Sequence, residues 1–123
     1  MDTLTEIKKI LTELLDLEKT DISPDTYLIK DLGAESIDLL EIAVTINSRF
    51  GIPVKDDDIF LTRFRQYLQE AEQQKEDYVL YIAEKYPFLT KGRIEEIANR
   101  TSEGPQLSVK DLMAYVTFYL GKL

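Results

Sequence analysis

Asp31-Leu32-Gly33-Ala34-Glu35-Ser36-Ile37-Asp38, running on through Leu39-Leu40-Glu41 to Phe50, is the stretch from which the rest of the chain can be read. A glycine turn leads to one serine between two acids, and an apolar run at helical spacing follows. The run predicts a helix from about Ser36 to Phe50, with Gly51 placed to cap it and Pro53 unable to continue it. A hydroxyl at such a helix start is exposed, lies near unpaired backbone N–H groups and can carry a phosphate that those groups welcome. Ser36 is therefore the candidate covalent attachment site. Taken alone, a serine at a helix start is more often only a cap, and it is the surrounding octet that reverses the preference.

Within this helix Ile37, Leu39, Leu40, Ile42, Ala43, Val44, Ile46 and Phe50 cover well over half the circumference. Asp38, Glu41, Thr45 and Ser48 or Arg49 are left as a narrow polar stripe. So apolar a helix needs partners on two sides, which places it at the centre of a bundle. It is also expected to border a slot for an apolar cargo, lined by Leu40, Val44 and Ile46 with Ile59 from the following element. On that expectation Val44→Asp lowers stability.

Working outward, Thr3-Leu4-Thr5-Glu6 has the pattern of a capping box, and Leu4, Ile7, Ile10, Leu11, Leu14 and Leu15 recur at helical spacing to about residue 16. From Leu17 to Lys30 no period is sustained, and a long loop pinned by Ile22, Tyr27 and Leu28 is expected. Ile52 to Phe60 reads as an extended turn leading to a short helical piece whose three aspartates are a solvated helix start rather than a metal site. Leu61, Phe64, Leu68, Ala71, Tyr78, Val79, Ile82 and Tyr86 keep a helical period across the polar run from Glu72 to Asp77, giving either one long helix or two joined near residue 74. Pro87 ends it, Thr90 starts a shorter helix with Ile94, Ile97 and Ala98 inward, and Thr101-Ser102-Glu103-Gly104-Pro105 is a loop. Ser108 with Asp111 three residues on caps a last helix buried along Val109, Leu112, Met113, Val116, Tyr119 and Leu120. Tyr115 and Phe118 lie off that stripe, so the 61–100 segment is expected to pack on them.

The chain of 123 residues is 44% apolar and 31% charged, which suits one folded, all-α domain over residues 1–123. It has no cysteine and no histidine, which removes disulfides, thiolate catalysis, zinc–sulfur sites and the commonest proton shuttle. No serine has a plausible base beside it, so an enzyme in its own right ranks last. With no leader-like start and no apolar run long enough to span a bilayer, a cytoplasmic protein without a membrane span is expected. The net charge of −8 is concentrated in the first fifty residues, which hold 11 acids against 5 bases. Such a surface repels nucleic acid and steers toward basic patches on proteins.

Residues 1–60 joined to 107–123 resemble an acyl carrier protein, a small acidic four-helix domain with Asp-Ser-Leu at the start of its second helix. The residues that carry the resemblance are Asp31 to Ala34, Ser36, Asp38 and Glu41, the Ile52-Pro53 turn with its acids, and the closing start from Leu107 to Leu112. The resemblance implies a 4′-phosphopantetheine arm on Ser36, transferred from coenzyme A by a phosphopantetheinyl transferase, with acyl groups held as thioesters on its thiol. Glu35, Asp38 and Glu41 would then be the handle for acyl-processing enzymes with basic docking patches, the acyl chain would shelter between helices, and the carrier would be a monomer without a metal. Two departures are Glu35-Ser36-Ile37 in place of the signature, and Thr45, Asn47, Ser48 and Arg49 where the family's helix stays acidic, which implies a different partner set. A third is the segment at about 61–106, an apparent helical insertion where the family has a short third helix and a loop. It reads first as an elaborated bundle, and otherwise as a wider acyl slot or as a docking surface, to which Arg63, Arg65, Lys91, Arg93 and Arg100 lend some support. Its presence points to a specialised fatty acid, lipid or polyketide pathway. The alternative from another class is an unmodified helical interaction scaffold of the same fold.

Overall fold

The computed structural model describes residues 2–17 and 21–123, so Glu18, Lys19 and Thr20 of the expected loop lie outside the described residues. The elements are α1 (Thr3–Leu14), α2 (Ser36–Phe50), α3 (Asp56–Ile59), α4 (Phe64–Gln73), α5 (Tyr78–Lys85), α6 (Lys91–Asn99), a 3-10 turn (Thr101–Glu103) and α7 (Val109–Leu120). Among the described residues the only strand-like pairing is an isolated bridge between Tyr27 and Ser108. Among the described residues the fold is all-α, a four-helix bundle with extra helices, as the sequence led one to expect.

α1 packs on α2 and α7, while α3 touches α2 and α7, and these four make the bundle. Ile7, Ile10 and Leu11 of α1 meet Ile42 and Ile46 of α2 and Leu112 and Val116 of α7 in one buried cluster. Periodicity dictated these faces, because apolar residues three and four apart share one side of a helix. The first cap differs from expectation. Asp2, not Thr3, caps α1: its carboxylate accepts the Leu4 N–H at 3.2 Å and the Thr5 hydroxyl at 2.7 Å. A carboxylate two residues before the amide reaches it with less strain than a hydroxyl already inside the turn.

α2 ends as read, with Gly51 at φ 67 in the left-handed region that favours glycine. The 61–86 period resolves into two helices. Lys75 takes φ 56, Asp77 begins the next turn by accepting the Val79 N–H at 2.9 Å, and α4 and α5 fold back on each other. α6 then packs on α5, with Thr90 accepting the Arg93 N–H at 3.1 Å.

Two devices fasten α4–α6 to the bundle. Phe64, Tyr86, Phe88 and Tyr115 form a relay of ring contacts, with centroids 6.2, 6.0 and 5.0 Å apart. Tyr115, expected off the buried stripe, is fully buried because Phe88 covers it, and its hydroxyl accepts the Lys55 N–H at 3.2 Å and donates to the Pro53 carbonyl at 3.3 Å. Leu120, expected on that stripe, is instead exposed near the helix end. Burial pushes the Tyr86 hydroxyl well above its ordinary value, so it stays neutral and accepts the Arg63 N–H at 3.2 Å. The 53–63 segment, which contains α3, is thus held at both ends by tyrosine hydroxyls.

The second device is Arg93, which belongs to the interior rather than to a basic contact surface. Its Nε and Nη2 donate to the two Asp111 carboxylate oxygens at 2.8 and 2.9 Å, and Nη2 also donates to the Gln106 carbonyl at 2.7 Å. It pairs with Glu96 as well. Burial would push the guanidinium down, but hydrogen bonds to and the charge of Asp111, with those of Glu96, hold it above its ordinary value.

Candidate functional site

The site begins with the turn before α2. Gly33, at φ 70, lets the chain reverse while its N–H donates to the Ile29 carbonyl at 3.1 Å, and Ala34 turns inward to be buried. Glu35 then takes the N-cap position in extended conformation, and Asp38 accepts the Glu35 N–H at 2.8 Å, closing a capping box. Ser36 is the first residue inside the helix. Its side chain is exposed and is not the cap, because Glu35 and Asp38 already fill that role. The reading of Ser36 as a mere cap therefore has no place in this geometry.

Among the described residues none accepts a hydrogen bond from the Ser36 or Ile37 N–H. Two unpaired amides at the positive end of a helix stand beside a free primary hydroxyl, an arrangement suited to a phosphodiester joined through that oxygen. The donor set present fits a phosphopantetheine group.

Glu35 and Glu41 are exposed, whereas Asp38 is half-buried and committed to the cap. The acyl-slot expectation requires correction. Leu40 is 55% and Val44 69% exposed, so neither lines an interior slot. Ile46 and Ile59 are fully buried in the solid core and line neither described cavity. The apolar circumference of α2 has a partner on one side only, and Ile37, Leu40 and Val44 form a bare apolar stripe beside the acids. Spacing alone could not tell a second packed side from an unpacked one.

The larger cavity, about 420 Å³, lies elsewhere, where Leu39 of α2 faces Phe60, Leu61 and residues of the added helices. Sequence reasoning missed it because its walls come from segments distant in sequence. Also missed was Arg93; the signal available was a lone arginine among the inward positions of α6. Among the described residues there is no cluster of His, Cys, Asp or Glu able to hold a metal ion, and no helix is long and apolar enough to cross a membrane.

Comparison with known proteins agrees with this geometry. The profile of a family described as phosphopantetheine attachment site matches residues 5–65, a span that contains Ser36 and both of its capping acids. The acyl carrier protein of Solidesulfovibrio magneticus is 31% identical over 58 residues, covering 47% of this chain and 74% of that protein. That of Nitratidesulfovibrio vulgaris is 33% identical over 58 residues, 47% of this chain and 76% of its own length. That of Helicobacter hepaticus is 29% identical over the same span, 47% of this chain and 76% of its own. Fold, site and relatives together define a carrier protein with a phosphopantetheine attachment site rather than an enzyme. The chain belongs to the acyl carrier protein family.

Proposed function

We propose that this protein carries acyl groups on a 4′-phosphopantetheine arm attached to Ser36, as a monomeric, cytoplasmic carrier for a specialised fatty acid, lipid or polyketide route. The observation that supports this most is the division of labour at the start of α2, where Glu35 and Asp38 cap the helix and leave the Ser36 hydroxyl free. When bound, the arm supplies a thiol on which acyl groups travel as thioesters, chemistry that a chain without cysteine cannot supply itself.

The chain's own residues do the rest. The Ser36 hydroxyl is the attachment atom, and the Ser36 and Ile37 N–H groups are available to the diester oxygens. Glu35 and Glu41 flank the apolar stripe of Ile37, Leu40 and Val44, which gives partners with basic patches a charged rim around an apolar contact. The transferase and the acyl-processing enzymes would use this surface. We take residues 1–123 as a single carrier domain with an insertion at about 61–106, because one buried cluster runs from Ile7 through Ile94 to Val116.

Incubation with coenzyme A and a phosphopantetheinyl transferase, read by intact mass, tests the proposal. One added arm is expected on the wild-type chain and none on Ser36→Ala. An arm that persists in the variant would place the attachment elsewhere, and no addition with any transferase would favour the unmodified scaffold, for which the bare stripe on α2 would be the contact face.

A further inference from the structure

We infer that the extra helices wall the cargo pocket of this carrier, so that an apolar acyl chain lies against α6 and the 104–107 connection rather than between α2 and the core. The inference rests on the reading of Ser36 as the tether. Leu39, three residues on from Ser36 and about 4.5 Å further along the axis, is at the wall of the cavity of about 420 Å³. An arm anchored at residue 36 therefore leaves the helix within one turn of it, and the apolar chain at its end has only to fold back to reach the cavity. Across from Leu39 stand Phe64, Ile97 and Leu107, all buried, whereas the lining residues Thr62 and Arg65 are exposed. The buried lining is mostly apolar, with Gln106 the polar exception, and exposed Thr62 and Arg65 give the lining a polar part open to water, which suits an apolar chain that enters from water.

The volume lies within the range of small-molecule sites. Ile46 and Ile59 are fully buried and line neither this cavity nor a second one beside Arg93, while Leu40 and Val44 face solvent. Leu61, at the wall, takes φ 56, a left-handed conformation that a leucine adopts only where its surroundings impose it. Its carbonyl accepts the Phe64 N–H at 3.2 Å, and Leu61, Phe60 and Phe64 all line the same space. The added segment thus selects cargo: its residues, not those of the four-helix bundle alone, set how much apolar chain fits.

Because the chain has no cysteine, Ser36→Cys provides a single thiol that tests the pocket without any transferase. The variant is alkylated with N-dodecylmaleimide or N-ethylmaleimide and compared by methyl NMR. The dodecyl group, not the ethyl group, is expected to shift the Ile29, Ile97 and Leu107 methyl signals and to leave those of Leu40 and Val44 in place. Thr101→Trp, which fills a half-buried position on the cavity wall, should suppress those shifts while circular dichroism stays unchanged. Shifts confined to Leu40 and Val44, or no shift at all, would overturn the inference. Loading the wild-type chain with dodecanoyl-coenzyme A and a transferase, read by intact mass, reports separately on Ser36. A negative mass result with positive methyl shifts would remove the tether reading and leave the pocket assignment standing.

Discussion

The starts of α2 and α7 carry the same local device and put it to opposite uses. Each begins with a capping box, Glu35 with Asp38 in one and Ser108 with Asp111 in the other. At α7 the protein consumes everything the motif offers. The Val109 and Lys110 N–H groups donate to the Thr26 and Pro24 carbonyls at 2.9 and 2.8 Å, and Asp111, 1% exposed, is gripped by Arg93. At α2 the matching amides are unpaired among the described residues, and the serine beside them faces solvent. A motif of four residues specifies a helix start. Whether that start becomes a structural lock or a site depends on what the rest of the chain lays against it.

Removing one side of the lock should have the largest effect. Arg93→Ala leaves the Asp111 carboxylate buried without its partner and is expected to cost about 3–5 kcal/mol in urea unfolding. A loss under 1 kcal/mol would mean that the extra helices are not fastened there. At the open start, reversing charge with Glu35→Lys and Glu41→Lys should slow association with the transferase about tenfold at low salt, the difference shrinking as salt screens it. A salt-independent effect in stopped-flow kinetics would contradict electrostatic steering.

Next comes Asp38→Ala, which removes only a half-buried cap with no charged partner and should cost about 1 kcal/mol. Equal losses for Asp38→Ala and Asp111→Ala would erase the contrast between the two starts. Smaller still is a pH effect at the rim of the lock. Hydrogen bonding to Lys110, followed by that to Arg93, holds the Glu96 carboxyl below its ordinary value. A depressed folded value means that the stabilisation is present above the ordinary carboxylate range and disappears as pH falls through the folded value. Glu96→Gln should therefore lower stability at neutral pH by a few tenths of a kcal/mol, given how exposed the pair is, and converge with the wild type in acid, which flattens the acid limb of a stability–pH profile. An unaltered acid limb would show that the pairing has no energetic weight.

The smallest expected effect corrects a sequence expectation. Val44→Asp, which helical spacing marks as destabilising, should change stability by less than about 0.5 kcal/mol because the side chain is 69% exposed. A loss of several kcal/mol would mean that α2 is covered on both sides after all.

Helix boundaries at Ser36, Gly51, Thr90 and Ser108 were legible because caps and stops act through neighbours in sequence. So was an exposed serine at the start of α2, since the octet around it reads without any tertiary contact. The cap of α1 was misplaced by one residue, and the break between α4 and α5 stayed open, because Lys75 at φ 56 leaves no mark that composition reveals. Arg93 looked like surface charge, since nothing within α6 shows that Asp111, eighteen residues on, waits for it.

Local sequence therefore determined the helices of the described residues apart from the break between α4 and α5, the inward faces of α1 and of most of α7, and an exposed hydroxyl at the start of α2. Each of these is settled within about one helical turn, by hydrogen bonds and spacing that the chain carries with it. Tertiary packing alone decided which half of α2 stays bare, which of two like capping boxes is sealed, and where an apolar cavity opens. Those outcomes depend on surfaces contributed by residues tens of positions apart, and burial is a property of the assembled chain rather than of any segment in it.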